Sequence, residues 1–191
     1  MKKLILFTNL ILLPLFVFAQ TELTGALGLT FGMNKASVRK ILIDKGGVFN
    51  ASESNATALS FNSVTMGTEL PDLVSCMFIN DKLYTIFAVF IPPSKVNTQA
   101  TFNRIEKIIE SKYGEPKSTR EFTLPYTDGE GEEASAVIAG KATIISSWKQ
   151  FKNSSSIDLL IMAMNFDAVV VLYYTDGVLM KEVNAKDAND F

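Results

Sequence analysis

Apolar residues recur at helical spacing in two stretches of the chain. In residues 34–45, Val38, Ile41, Leu42 and Lys45 share a face. Asn34 suits the start as a cap, Met33 and Val38 stand where a hydrophobic staple forms, and Gly46-Gly47 offers a left-handed exit. In residues 98–113, Phe102, Ile105, Ile108, Ile109 and Lys112 keep the same period, with Gly114 and Pro116 as the stop. Both helices are amphipathic, so each must cover an apolar surface. That surface is expected in strand-like segments. They lie at 58–66, 73–80 and 82–91 after the first helix, and at 120–124, 134–139, 142–151, 157–164, 168–175 and 178–183 after the second. Asn80-Asp81 suits a tight hairpin, and Asp128-Gly129, residues 165–167 and Asp176-Gly177 supply further turns.

The order of helix followed by antiparallel strands therefore occurs twice. The expected fold is α+β: two tandem helix-plus-antiparallel-β-meander units, residues 20–96 and 97–191, with the helices packed on one face of an antiparallel sheet. Direct superposition of residues 38–47 on 105–114 aligns Val38 with Ile105, Lys40 with Lys107, Leu42 with Ile109, Lys45 with Lys112 and Gly47 with Gly114, without a gap. Internal duplication accounts for this match, although any two amphipathic helices ending in Lys-x-Gly would align similarly.

The strands are rich in aromatic residues, and period-two alternation divides these between faces. Across 82–91, Leu83, Thr85, Phe87, Val89 and Ile91 form one face, which reads as core. Lys82, Tyr84, Ile86, Ala88 and Phe90 form the other, whose mixture of lysine and aromatics suits a partly exposed binding surface. Tyr84, Phe90, Trp148 and Tyr174 are the candidate partner-binding residues. Residues 159–164 and 169–174 are apolar at both parities, the pattern of strands covered on both sides. Two sheets packed on each other, or a homodimer, would also bury both faces.

At the N-terminus, Lys2 and Lys3 precede an apolar run over residues 4–18, and Val17 and Ala19 stand at the −3 and −1 positions of a small-residue cleavage site. This is the form of a secretion signal over residues 1–19, leaving Gln20 as the first mature residue. The run is shorter than the roughly 20 apolar residues of a membrane span. Residues 157–174 carry Asp158, Asn165 and Asp167, which fit two strands around a turn better than a span. No membrane span is expected after cleavage, and the location is periplasmic or secreted.

About 170 residues then remain, enough for one domain with a substantial core or two small fused units. The whole chain has 18 basic and 20 acidic residues; without Lys2 and Lys3 the balance is 16 against 20, or −4. No basic stripe is present to meet phosphates, so nucleic acid is not an expected partner. The single cysteine, Cys76, has no intramolecular partner for a disulfide and lies in the apolar segment 73–79, where it reads as a small buried hydrophobe.

There is no histidine. Ser-His-Asp and Cys-His catalysis are thereby excluded, as is a zinc site built on imidazole. No spacing nominates a carboxylate pair or a Ser-Lys pair, and Gly129-Glu130-Gly131 lacks the lysine and the strand-to-helix setting of a phosphate loop. Residues 127–133 lack the ligand order of a calcium loop and read as a solvated hairpin tip. No catalytic, cofactor-binding or metal-binding residue is nominated, no cofactor is implied, and the chain does not read as an enzyme.

Residues 28–42, Gly-Leu-Thr-Phe-Gly-Met-Asn-Lys-Ala-Ser-Val-Arg-Lys-Ile-Leu, resemble the opening of many exported bacterial domains, in which a Phe-Gly-Met-type turn caps a helix. Together with the element order, this resembles the beta-lactamase-inhibitor-protein-like group, whose smaller relatives include an outer-membrane assembly lipoprotein family. The signal ending in Phe-Ala-Gln is similar to those of Bacteroidetes-type bacteria. The resemblance implies helices on one face of an antiparallel sheet whose concave face binds protein. The chain lacks that group's cysteine pairs, so inhibitory activity is not implied. The function expected is an exported, non-catalytic binding module that uses a sheet face to hold a protein of the cell envelope. The alternative is a small-ligand or lipid carrier with a pocket between helices and sheet.

Overall fold

The computed structural model describes residues 22–189; the expected secretion signal, residues 1–19, lies outside the described residues. The chain opens with a small ribbon, β1 (Gly25–Ala26) and β2 (Leu29–Thr30), turning through Leu27 and Gly28 at positive φ. Helix α1 (Lys35–Asp44) follows. The Asn34 side chain accepts a hydrogen bond from the Ser37 amide at 2.8 Å, as its sequence predicts, and Gly46 takes the left-handed exit. Next come β3 (Val48–Asn50), β4 (Ala58–Asn62), β5 (Leu73–Ile79) and β6 (Lys82–Phe90). Asn80 and Asp81 both have positive φ and close the β5–β6 hairpin, a geometry that these short polar side chains tolerate.

Helix α2 (Lys95–Tyr113) stops at Gly114, whose φ is 83°. Beyond it lie β7 (Lys117–Phe122), α3 (Glu133–Ile138), β8 (Ala142–Trp148), β9 (Ser156–Met164), β10 (Asp167–Thr175) and α4 (Gly177–Asn189). Strands β3 to β10 form one antiparallel sheet in the order β3-β4-β5-β6-β10-β9-β8-β7, closed at its centre by β6 against β10. The fold is α+β. Residues 157–174 are two strands around a turn, and among the described residues no helix is long and apolar enough to cross a membrane.

Two segments expected as strands are helices. Residues 134–139 belong largely to α3, where alanine content favours helix and Ala134, Ala136 and Val137 are buried. Residues 178–183 lie in α4. Asp176 does not turn a hairpin; its carboxylate accepts from the amides of Val178 and Leu179 at 2.8 and 2.7 Å, the role of a helix cap. Gly177 is required there because a Cβ would stand 2.0 Å from the Ser154 carbonyl oxygen.

Helices α1, α2 and α3 cover one sheet face. Val38 and Leu42 of α1, Phe102, Ile105 and Ile109 of α2, and Ala134 and Val137 of α3 join Phe61, Ile86, Leu159 and Leu172 in the main core. Cys76 is fully buried there, and burial pushes its thiol up to about 12. Helix α4 departs from the one-face expectation. Its Leu179, Met180 and Val183 pack on Met77, Ile79 and Tyr84, the strand positions that alternate with the main-core residues Cys76, Phe78 and Leu83.

Candidate functional site

The two faces of β6 are set by a bulge. Met77 pairs with Thr85 but Phe78 pairs with Leu83, so Tyr84 is the extra residue on its strand. Alternation is reset there. Leu83 points to the helices together with Ile86, Ala88 and Phe90, while Phe87 and Val89 point the other way. The face expected as core and the face expected as partly exposed are thus exchanged along most of the strand.

The four candidate residues do not form a common surface. Trp148 is 0% exposed beneath α2, and its indole N–H donates to the Gly114 carbonyl at 2.7 Å, tying β8 to the helix exit. Phe90 and Tyr174 are buried in the same core, where desolvation, with Tyr113 as a lesser cause, raises the Tyr174 phenol well above its ordinary range. Tyr84 lies on the opposite face but is covered by α4.

Among the described residues, the surface left without a helix is the remainder of that opposite face. Strand register places Leu73, Val89, Val171, Leu160, Ile145 and Thr119 side by side across β5, β6, β10, β9, β8 and β7. A second row, one step along, runs Ser75, Phe87, Tyr173, Asp158, Ser147 and Lys117. Val89, Val169 and Val171 are almost fully shielded, yet the cluster they form contains only strand residues: Leu73, Phe87, Met162 and Tyr173 lean over them. The Phe87 and Tyr173 rings lie 5.4 Å apart, and burial raises the Tyr173 phenol.

The carboxylate of Asp158 is set into this apolar band. Asp158 accepts from Ser147 Oγ at 2.5 Å and from Ser156 Oγ at 2.8 Å, with Lys149 Nζ 3.9 Å away. Along β9 its parity continues through Leu160, Met162 and Met164 to the β9–β10 turn. There Asn165 and Phe166 both take positive φ, 50° and 67°. Asparagine tolerates that conformation, but phenylalanine is strained in it, and the Phe166 ring is 90% exposed. The sequence signal for this face was Asp158 itself. A carboxylate in an otherwise apolar strand marks the solvent side, and hence Leu160 and Met162 with it.

Two further concavities lie on the helix side. A polar cleft of about 450 Å³ between α2, β7, β8 and the start of α3 is lined by Glu106, Ser118, Arg120, Asp128, Glu133 and Ser146. Its groups hold one another. Arg120 donates through Nε and Nη2 to Asp128, keeping that carboxyl below its ordinary range, and Ser146 Oγ donates to Glu106. The amide of Gly129 donates to Glu133, which is buried, while residues 127–132 are exposed, as expected of a solvated segment, in the connection from β7 to α3. Among the described residues no group of three or more carboxylates, cysteines or histidines converges as a metal site. The other concavity, between α2 and the sheet beside Phe90, Leu172 and Tyr174, encloses only about 140 Å³. That is below the roughly 300 Å³ from which ligand pockets begin.

No protein-family model, curated protein or solved structure matches the chain.

Proposed function

We propose that this chain is an exported, non-catalytic binding module that holds a protein of the cell envelope on the open face of its sheet. The observation that carries the reading is the band of Leu73, Phe87, Leu160, Met162 and Tyr173, which no helix among the described residues covers while three helices pack on the reverse side. Contiguous apolar patches at a monomer's surface commonly mark interaction sites. Aromatic and methionine side chains around a satisfied carboxylate supply both contact area and orientation for a partner. Phe166, strained and exposed at the β9–β10 turn, offers a partner a further apolar side chain.

The same reading takes the chain as two helix-plus-meander units. In support, Val38 and Leu42 of α1 and their counterparts Ile105 and Ile109 of α2 are all buried, and the last strand of each half meets the other at the sheet centre. Resemblance to the beta-lactamase-inhibitor-protein-like group, in which the concave sheet face binds protein, points the same way. The small apolar pocket beside Tyr174 gives the lipid-carrier alternative too little room.

The test is recovery of partners from the periplasm by the mature chain and by a Phe87→Ala/Tyr173→Ala variant, followed by titration of the purified partner. The expected result is loss of at least about tenfold in affinity in the variant. Equal recovery by both would sink the assignment of this face. Export is checked separately by N-terminal sequencing of the processed chain, expected to begin at Gln20.

A further inference from the structure

The far edge of the sheet is β7, which pairs with β8 on one side and with nothing described on the other. Six residues long and exposed at most of its positions, it presents unpaired backbone groups of the kind that recruit another strand. At the opposite edge β3 has only three residues. On β7, Lys117 and Glu121 share the open-face parity with Thr119 between them, and neither enters an ion pair among the described residues.

We infer that β7 is a self-pairing edge, and that two copies of the chain join through it in antiparallel register about a two-fold axis at Thr119, normal to the sheet. The register follows from charge. Centred on Thr119, Lys117 of each copy stands opposite Glu121 of the other, giving two favourable cross-strand pairs on the open face, with Ser118 opposite Arg120 on the helix side. Centred one residue later, the axis would set Arg120 against Arg120. Centred one residue earlier, it would set Glu115 against Glu121. Both alternatives oppose like charges, so the charge pattern that would repel other edges selects this one register. The contact is isologous, as a two-fold dimer requires. It makes one continuous sheet with eight strands from each copy and puts both open faces on the same side, so that the row from Leu73 to Thr119 continues into the second copy. This surface is distinct from the one assigned to the protein partner and does not depend on that assignment.

The experiment is sedimentation equilibrium of the mature chain up to about 1 mM, with the variants K117E and E121K alone and mixed in equal amounts. The parent chain is expected to dimerise, more weakly as salt rises. Each variant alone sets like charges opposite each other twice, and its dimer dissociation constant should rise at least about tenfold. The equimolar mixture restores both attractive pairs in a heterodimer, so dimer should return to within about threefold of the parent. Unchanged thermal unfolding of these exposed variants confirms that they are folded. A parent chain that stays monomeric at about 1 mM overturns the inference. So does a dimer indifferent to both substitutions, or one that the mixture fails to restore.

Discussion

Both faces of the sheet carry apolar side chains, and the two meet opposite fates. On one, Trp148, Phe61, Ile86, Leu159 and Leu172 are sealed beneath α1, α2 and α3. On the other, among the described residues, Val89, Val169 and Val171 are sheltered by neighbouring side chains of the sheet itself, and α4 covers the end bearing Ile79 and Tyr84. Apolar content therefore does not identify a core. A core is made where an amphipathic helix is tethered over the strands, and on the proposed reading the apolar content elsewhere serves a partner.

The difference can be broken most severely at Trp148. Replacement by alanine should cost about 3–5 kcal/mol, measured by urea unfolding, because it leaves a large cavity and frees the Gly114 carbonyl. Cys76 tests the same face more gently. Cys76→Ser should cost about 1–3 kcal/mol by placing an unpaired hydroxyl in the core. In the parent chain the thiol, protonated and buried, should react with thiol reagents only as fast as the protein unfolds.

On the open face the effects should be smaller and their character different. Tyr173→Ala should cost about 1 kcal/mol or less in unfolding experiments while weakening partner binding at least about tenfold. A loss of several kcal/mol would mean that this face is core after all. Phe166→Gly should stabilise by about 0.5–1 kcal/mol, since glycine relieves the left-handed strain at the turn, and should still weaken binding.

The weakest effect is expected at the margin of the helix side, in the pair of Arg120 with Asp128. Arg120→Ala should cost about 0.5 kcal/mol, as for other solvent-exposed ion pairs. The hydrogen bonds from Arg120 lower the Asp128 pKa, so the pair contributes above the ordinary carboxylate range. Its contribution fades as pH falls through the lowered value of the folded state. The difference between parent and variant should therefore vanish in acid.

Local chemistry was legible wherever it acted alone. Asn34 caps α1, Gly114 stops α2, and Asn80-Asp81 turns the β5–β6 hairpin, each because a side chain or a positive φ decides the backbone within a few residues. Asp176-Gly177 was ambiguous at that range. The same dipeptide suits a turn or a helix cap, and only the packing of Leu179, Met180 and Val183 on Tyr84 selects the cap.

By itself the sequence determined that the protein is α+β, that two amphipathic helices must cover antiparallel strands, and that Cys76 would be buried. All three follow from periodicity and residue chemistry, which are carried along the chain. The tertiary structure decided which face the helices took. A one-residue bulge at Tyr84 exchanges the parity of β6, and residues 169–174 are apolar on both sides, so no local pattern distinguishes core from surface there. It also decided that Phe87 and Tyr173, and not Trp148, lie on the face left open. That assignment depends on long-range pairing between β6 and β10, which joins residues 80 to 90 positions apart and leaves no trace in any one segment.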